Sequence, residues 1–140
     1  MSNALAVRSL HHVGRLTKHL EASRAFYREV LGFREIQRPN FNFGGAWLFN
    51  YGLQIHLIVD ESIPDPSGPI QTRESHLAFM VEDLTEVERR LEKLGVAFRK
   101  NVVPERNTQQ IFFRDPDGYH IEVGVYPPTI EMDDAPRKPS

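Results

Sequence analysis

Apolar positions along this chain fall into two alternating patterns, and the whole series then runs a second time. LQIHLIV (53–59) alternates with a period of two, placing Leu53, Ile55, Leu57 and Val59 on one face and Gln54 and His56 on the other. Before it, SLHHVGRL reads as a short strand. KHLEASRAFYREVLGF reads as an amphipathic helix, with Leu20, Phe26, Tyr27, Val30 and Leu31 on one side and Gly32 placed for a left-handed stop. FREIQRP and GAWLFN supply two more strands, and Tyr51-Gly52 supplies the hairpin turn into the last. The predicted order is β-α-β-β-β.

The second half begins with SHLAFMV, a strand with Leu77, Phe79 and Val81 inward and His76 opposite. EDLTEVERRLEKLGV follows as a helix lined by Leu84, Val87, Leu91 and Leu94, stopped at Gly95, and capped by Asp83 with Glu86 reaching back to the free amides. AFRKNVV, QIFFR and YHIEVGV complete a second β-α-β-β-β series, with an Asp-Pro-Asp-Gly turn at 115–118. In YHIEVGV the parity puts His120 and Glu122 opposite the apolar set. His12 stands 64 residues before His76, and His56 stands 66 before Glu122, so four polar strand residues occupy matching points of a repeat.

The predicted fold is therefore α+β: one domain over 8–126, built of modules 8–60 and 75–126, with a Pro- and Asp-rich linker at 61–74 and a tail at 127–140. If each helix packs on the apolar face of its sheet, His12, His56, His76 and Glu122 share the helix-free faces, and two curved sheets facing one another would enclose them. A single histidine in a strand is more often packing or surface than chemistry. His11, His19 and, for the most part, His120 are read that way, whereas correspondence across the repeat marks His12, His56, His76 and Glu122 as a metal tetrad. Three imidazoles and a carboxylate suit Zn, Ni, Fe, Co or Mn better than an oxygen-seeking ion. A metal also accounts for a glutamate in an apolar strand, where an isolated charge is costly. Gln54 and His120 share those faces, and Trp47, Arg38 and Arg106 are further candidates for the substrate pocket.

Composition narrows the reading. The 140 residues carry 40% hydrophobic and 26% charged side chains with a net charge of -2, ordinary for a soluble domain with room for one core. No apolar run reaches the roughly 18 residues of a membrane span, and no basic cluster invites nucleic acid. MSNALAVRSL lacks the pattern of a secretory leader, so a cytoplasmic setting is expected. With no cysteine, a metal must be held by nitrogen and oxygen, and a thiolate nucleophile is excluded. The expected partner is a small-molecule substrate.

Three runs carry a family resemblance: LHHVGRLTKHLEASRAFYREVLGF, HLAFMVEDLTEVERRLEKLGV and FFRDPDGYHIEV. Together they resemble the vicinal oxygen chelate superfamily, which includes glyoxalase I, bleomycin and fosfomycin resistance proteins and extradiol dioxygenases. The resemblance implies paired β-α-β-β-β modules, one divalent metal held by His12, His56, His76 and Glu122, and a homodimer. It also implies a glyoxalase-like lyase or isomerase of lactoylglutathione lyase type, with Glu122 as the proton-shuttling base. Two positions depart from glyoxalase I: His56 stands where many members have glutamate, and Glu29 where the animal-type enzyme often has a glutathione-binding arginine. An extradiol dioxygenase using His12, His76 and Glu122, a fosfomycin-type thiol transferase and a non-catalytic ligand-binding resistance protein are the alternatives.

Overall fold

The computed structural model describes residues 3–106 and 108–126, for Arg106 the backbone only, so the 127–140 tail lies outside the described residues. The elements are β1 (His12–Thr17), α1 (Leu20–Glu29), β2 (Arg34–Ile36), β3 (Gly45–Asn50), β4 (Leu53–Val59), β5 (His76–Met80), α2 (Leu84–Leu94), β6 (Phe98–Val103), β7 (Thr108–Arg114) and β8 (His120–Gly124). A single 3-10 turn, Pro104–Arg106, leads toward β7. The doubled β-α-β-β-β order is the one the hydrophobic pattern predicts.

Two four-stranded sheets result, with strand orders β1-β4-β3-β2 and β5-β8-β7-β6. In each, the first strand pairs in parallel with the fourth, because the intervening helix carries the chain back across the sheet, and the remaining pairs are antiparallel hairpins. The β3–β4 turn places Tyr51 and Gly52 at φ 53 and 70, the primed geometry that matches strand twist.

The first compact unit runs to Ser67 and takes in Asp115–Gly118; the second holds Gly68–Arg114 and the chain from Tyr119. In the first, Phe26 and Tyr27 of α1 are buried together with Phe33, Ala46, Leu48, Ile55 and Leu57. In the second, Leu91 of α2 is buried, as are Ile111, Phe113, Ile121 and Val123. Burial of these side chains supplies the main driving force, about 1.5–3 kcal/mol for each large one. His56 and Glu122 have opposite strand parity to the buried apolar residues of β4 and β8, leaving them on the other face.

The two helices begin differently. Asp83 caps α2, its carboxylate accepting the amides of Thr85 and Glu86 at 2.9 and 3.3 Å, and Gly95 ends the helix at φ 71. Glu86 does not complete the expected reciprocal box. Its carboxylate is taken by Arg89 and Arg90 at 2.7 and 2.8 Å, and the two guanidinium bonds hold it down to about 2. Charged donors outbid a neutral amide.

At α1 the N-cap position is His19, whose side chain makes no cap bond. Its start is held by the Asp-Pro-Asp-Gly turn. Asp117 is buried and accepts from the hydroxyl of Thr17, from the Ser23 hydroxyl at 2.9 Å and from the Lys18 amide at 3.0 Å. Asp115 accepts from the Tyr27 hydroxyl at 2.7 Å. Burial, reinforced by the neighbouring Asp115 carboxylate, pushes Tyr27 well above its ordinary range. Gly118 serves here by conformation and by space: its φ is 93, and a Cβ would lie 2.6 Å from Pro66.

Candidate functional site

The expected metal-binding side chains occur as two pairs, one in each unit. In the second unit His76 begins β5 and Glu122 sits at the middle of β8, with Ala78 and Phe112 as its cross-strand neighbours. His76 Nδ1 donates to the Glu74 carbonyl at 2.7 Å, which leaves Nε2 of the neutral ring with its lone pair. That nitrogen stands 3.5 Å from Glu122 Oε1. A lone pair facing a carboxylate is stable only with a proton or cation between them. Two ligands on one tetrahedral ion, with bonds of about 2.0–2.1 Å, lie about 3.4 Å apart, so this pair fits a shared divalent metal. A carbonyl holding the second ring nitrogen is the usual means of fixing a histidine ligand.

Glu122 is only 7% exposed, and its other oxygen accepts from the Tyr126 hydroxyl. Burial and this bond raise Tyr126 above the ordinary phenol range. Sequence reasoning missed Tyr126, although a signal was present. Residues 122, 124 and 126 share strand parity, and Gly124 leaves the gap through which the ring folds back; a Cβ there would lie 2.8 Å from it.

In the first unit His12 and His56 also lie on one face, with Gly14 as the cross-strand neighbour of His56 and Gln54 that of His12. Their rings stack at 4.0 Å with planes 12° apart. In-plane lone pairs of parallel rings do not converge. His56 Nε2 donates to the Gln54 side-chain oxygen at 2.9 Å, and His12 Nδ1 lies 2.8 Å from His11 Nδ1. For this pair to ligate, His12, which is exposed, would turn out of the stack, and His56 would offer Nδ1, the nitrogen that its bond to Gln54 leaves with a lone pair. Among the described residues no third metal-capable side chain joins either pair to form a group of three. His56 is 8% exposed, and burial, followed by the nearby His12 and His11, lowers its pKa, favouring the neutral form that metals require.

The remaining pocket candidates divide. Trp47 pairs with His56 across strands and stacks flat on it, at 4.0 Å and 5°. Phe41 and Phe43 continue the aromatic surface beyond Trp47, with Arg38 beside them. Gln54 is occupied by His56. His120 is buried and its Nε2 accepts from the Gln71 amide at 2.9 Å, so it tethers the connecting segment. The side chain of Arg106 lies outside the described residues. Phe41 and Phe43 were not among the candidate residues picked out in the sequence, because neither sits in a strand whose parity could place it.

Comparisons with known proteins agree with this architecture. The family model described as the Glyoxalase/Bleomycin resistance protein/Dioxygenase superfamily matches residues 9–123. The chain is similar to Glyoxylase I 4 of Arabidopsis thaliana, 40% identical over 127 residues, covering 86% of this chain and 72% of that protein. It is 30% identical over 127 residues to metallothiol transferase FosB of Lysinibacillus sphaericus (strain C3-41), covering 84% of this chain and 82% of that one. A solved structure, the glyoxalase family protein from Enterococcus faecalis, is 30% identical with a TM-score of 0.67, covering 86% of this chain and 99% of that chain. Two matched β-α-β-β-β units, a His-Glu pair spaced for one ion and a family model covering most of the sequence lead to one statement: the chain belongs to the glyoxalase/bleomycin resistance protein/dioxygenase superfamily.

Proposed function

We propose that the protein is a metal-dependent lyase or isomerase of glyoxalase type, acting on a small oxygenated substrate such as the hemithioacetal of a thiol and a 2-oxoaldehyde. The observation that carries the reading is the His76–Glu122 pair, in which an oriented ring nitrogen faces a buried carboxylate at the separation of two ligands on one ion. His12 and His56 would complete the set. A divalent ion bound there would supply Lewis acidity toward two neighbouring substrate oxygens.

Glu122 is the proposed base. It takes the proton from the carbon bearing sulfur and hydroxyl and returns it to the adjacent carbonyl carbon. The hydroxyl proton passes to the ketone oxygen as the carbon-bound proton moves, so the hydroxyl carbon becomes the thioester carbonyl, the ketone becomes an alcohol, and no external oxidant is required. Tyr126 donates to one Glu122 oxygen, so the other, which faces His76, would have to leave the ion to move the proton. The test is to supply hemithioacetal to protein loaded with Ni, Zn, Co or Mn and follow thioester formation; no turnover with any of them sinks the reading. No helix among the described residues is long and apolar enough to cross a membrane. A cytoplasmic homodimer is the proposed state, which light scattering on the eluting protein would check.

The 30% identity to a metallothiol transferase favours a second reading, thiol addition to an epoxide such as fosfomycin. It requires loss of fosfomycin and appearance of a thiol adduct when the metal-loaded protein is given both reagents.

A further inference from the structure

Trp47, Phe41 and Phe43 carry an aromatic surface outward from the first unit's histidine pair, and the proposed reaction does not use these three rings. His12, His56 and Trp47 stack in series at 4.0 Å each. Phe41 lies 6.2 Å from Trp47 and tilted 49° to it, and Phe43 stacks on Phe41 at 5.0 Å and 11°. Large apolar rings usually leave water, yet Phe41 and Phe43 remain 44% and 45% exposed.

A single cation is seated among these rings. The Arg38 guanidinium carbon is 4.9 Å from the Phe41 centroid and 5.0 Å from that of Phe43, and Nη2 donates to the Phe43 carbonyl at 2.7 Å. The seat is shaped by Gly45, where a Cβ would lie 3.2 Å from Arg38 Nε and Nη2 and would also run into the Leu57 carbonyl. Among the described residues no carboxylate pairs with Arg38. The guanidinium is thus held in place by ring faces and one backbone bond, with Nη1 left to donate. A fixed planar fork among aromatic faces, with no acid among the described residues paired to it, complements a planar anion.

We propose that Arg38, Phe41, Phe43 and Trp47 form a subsite for an aromatic carboxylate, with the carboxylate on Arg38 and the ring on the aromatic surface leading to His56. For its role the subsite rests on the glyoxalase-type reading, since it would select substrates bearing an arylcarboxylate group. Its existence does not depend on that reading. Preorganisation is what makes a small exposed patch able to bind, because little ordering remains to be done.

Trp47 is the sole tryptophan and so reports on its own subsite. The experiment titrates the full chain, stripped of metal by chelator, with benzoate, with uncharged benzamide and with acetate, reading Trp47 fluorescence. Benzoate should perturb it saturably, about tenfold more tightly than benzamide, while acetate fails to saturate. Arg38→Gln should bring benzoate to the benzamide value and leave benzamide unchanged, and Phe43→Ala should weaken both ligands. If Arg38→Gln does not fold, Arg38→Lys serves: weakened benzoate with unchanged benzamide supports the subsite. Benzoate and benzamide binding alike in the native protein, or benzoate indifferent to either Arg38 substitution, overturns it. Because the protein is metal-free, absence of hemithioacetal turnover alongside Arg38-dependent benzoate binding would overturn the reaction and leave the subsite standing.

Discussion

At equivalent points of the two sheets an aromatic residue faces a candidate ligand: Trp47 opposite His56 in the first unit, Phe112 opposite Glu122 in the second. The rings then behave differently. Trp47 lies flat on His56, which lies flat on His12, so the first pair is tied into a stack. Phe112 meets His76 edge-on at 5.7 Å and 80°, leaving that imidazole to be aimed by the Glu74 carbonyl at Glu122. The two halves thus share a backbone register while one aims a histidine at a carboxylate and the other stacks its rings flat. The architecture repeats; the arrangement of side chains on it does not.

The largest effect should follow from removing the poised half. Glu122→Gln keeps the shape of the side chain and its bond to Tyr126 while removing the charge and the basicity. Hemithioacetal turnover should fall by about 1000-fold, within the usual range for loss of a general base. Competition against a chromophoric chelator should show Zn affinity down by about 100-fold in Glu122→Gln and His76→Ala, and by less in His56→Ala, whose binding form must first break a stack. Equal losses from the two units would dissolve the comparison.

A second contrast lies in how the helices start, and Asp117→Ala tests it. The substitution leaves the Thr17 and Ser23 hydroxyls and the Lys18 amide without their acceptor in a buried setting, and it removes the negative charge from the start of α1. A loss of about 3 kcal/mol is expected, measured by urea unfolding with the native chain as reference. Full stability would mean that α1 is held by apolar packing alone.

This contrast also explains what the sequence could and could not tell. Strand parity in LQIHLIV and YHIEVGV located His56 and Glu122 correctly because alternation is local and a one-residue slip would invert every face. The Asp83 cap and the Gly95 stop were readable for the same reason: each acts within one helical turn. Asp115 and Asp117 were read as turn residues, since nothing near them announces that their carboxylates serve Tyr27 and Ser23, 88 and 94 residues away. Likewise, the stacking of His12 on His56 and the turning of Glu86 toward Arg89 are choices among side-chain partners, which spacing alone does not rank. Residue identity marked the four candidate ligands, but not how their side chains are oriented.

Tyr27→Phe sharpens the same contrast with a pH axis. Tyr27 is neutral and bonded to Asp115, and burial raises its pKa above the unfolded value of about 10. A group whose folded pKa is raised contributes stability that is complete below its unfolded pKa and is lost as pH climbs toward the folded one. The native chain should therefore lose stability above about pH 10, with the tyrosinate absorbance of Tyr27 appearing only on unfolding. Tyr27→Phe should cost about 1–2 kcal/mol at neutral pH and flatten the alkaline fall. An unchanged fall would assign it to other groups.

The smallest effect belongs to the helix that caps itself. Asp83→Ala removes the acceptor for the Thr85 and Glu86 amides, but these lie at an exposed helix end where water can replace it. About 1 kcal/mol is expected, and Asp83→Asn or Asp83→Ser should recover most of it, because any short side-chain acceptor can satisfy the same amides. The corresponding conservative change at the other helix, Asp117→Ser, should recover little, since a hydroxyl on a shorter side chain cannot span all three donors. Side-by-side urea midpoints for the four variants measure this directly. If Asp117→Ser recovered as fully as Asp83→Ser, the start of α1 would be an ordinary local cap, and the difference between the two units would reduce to the chemistry of their open faces.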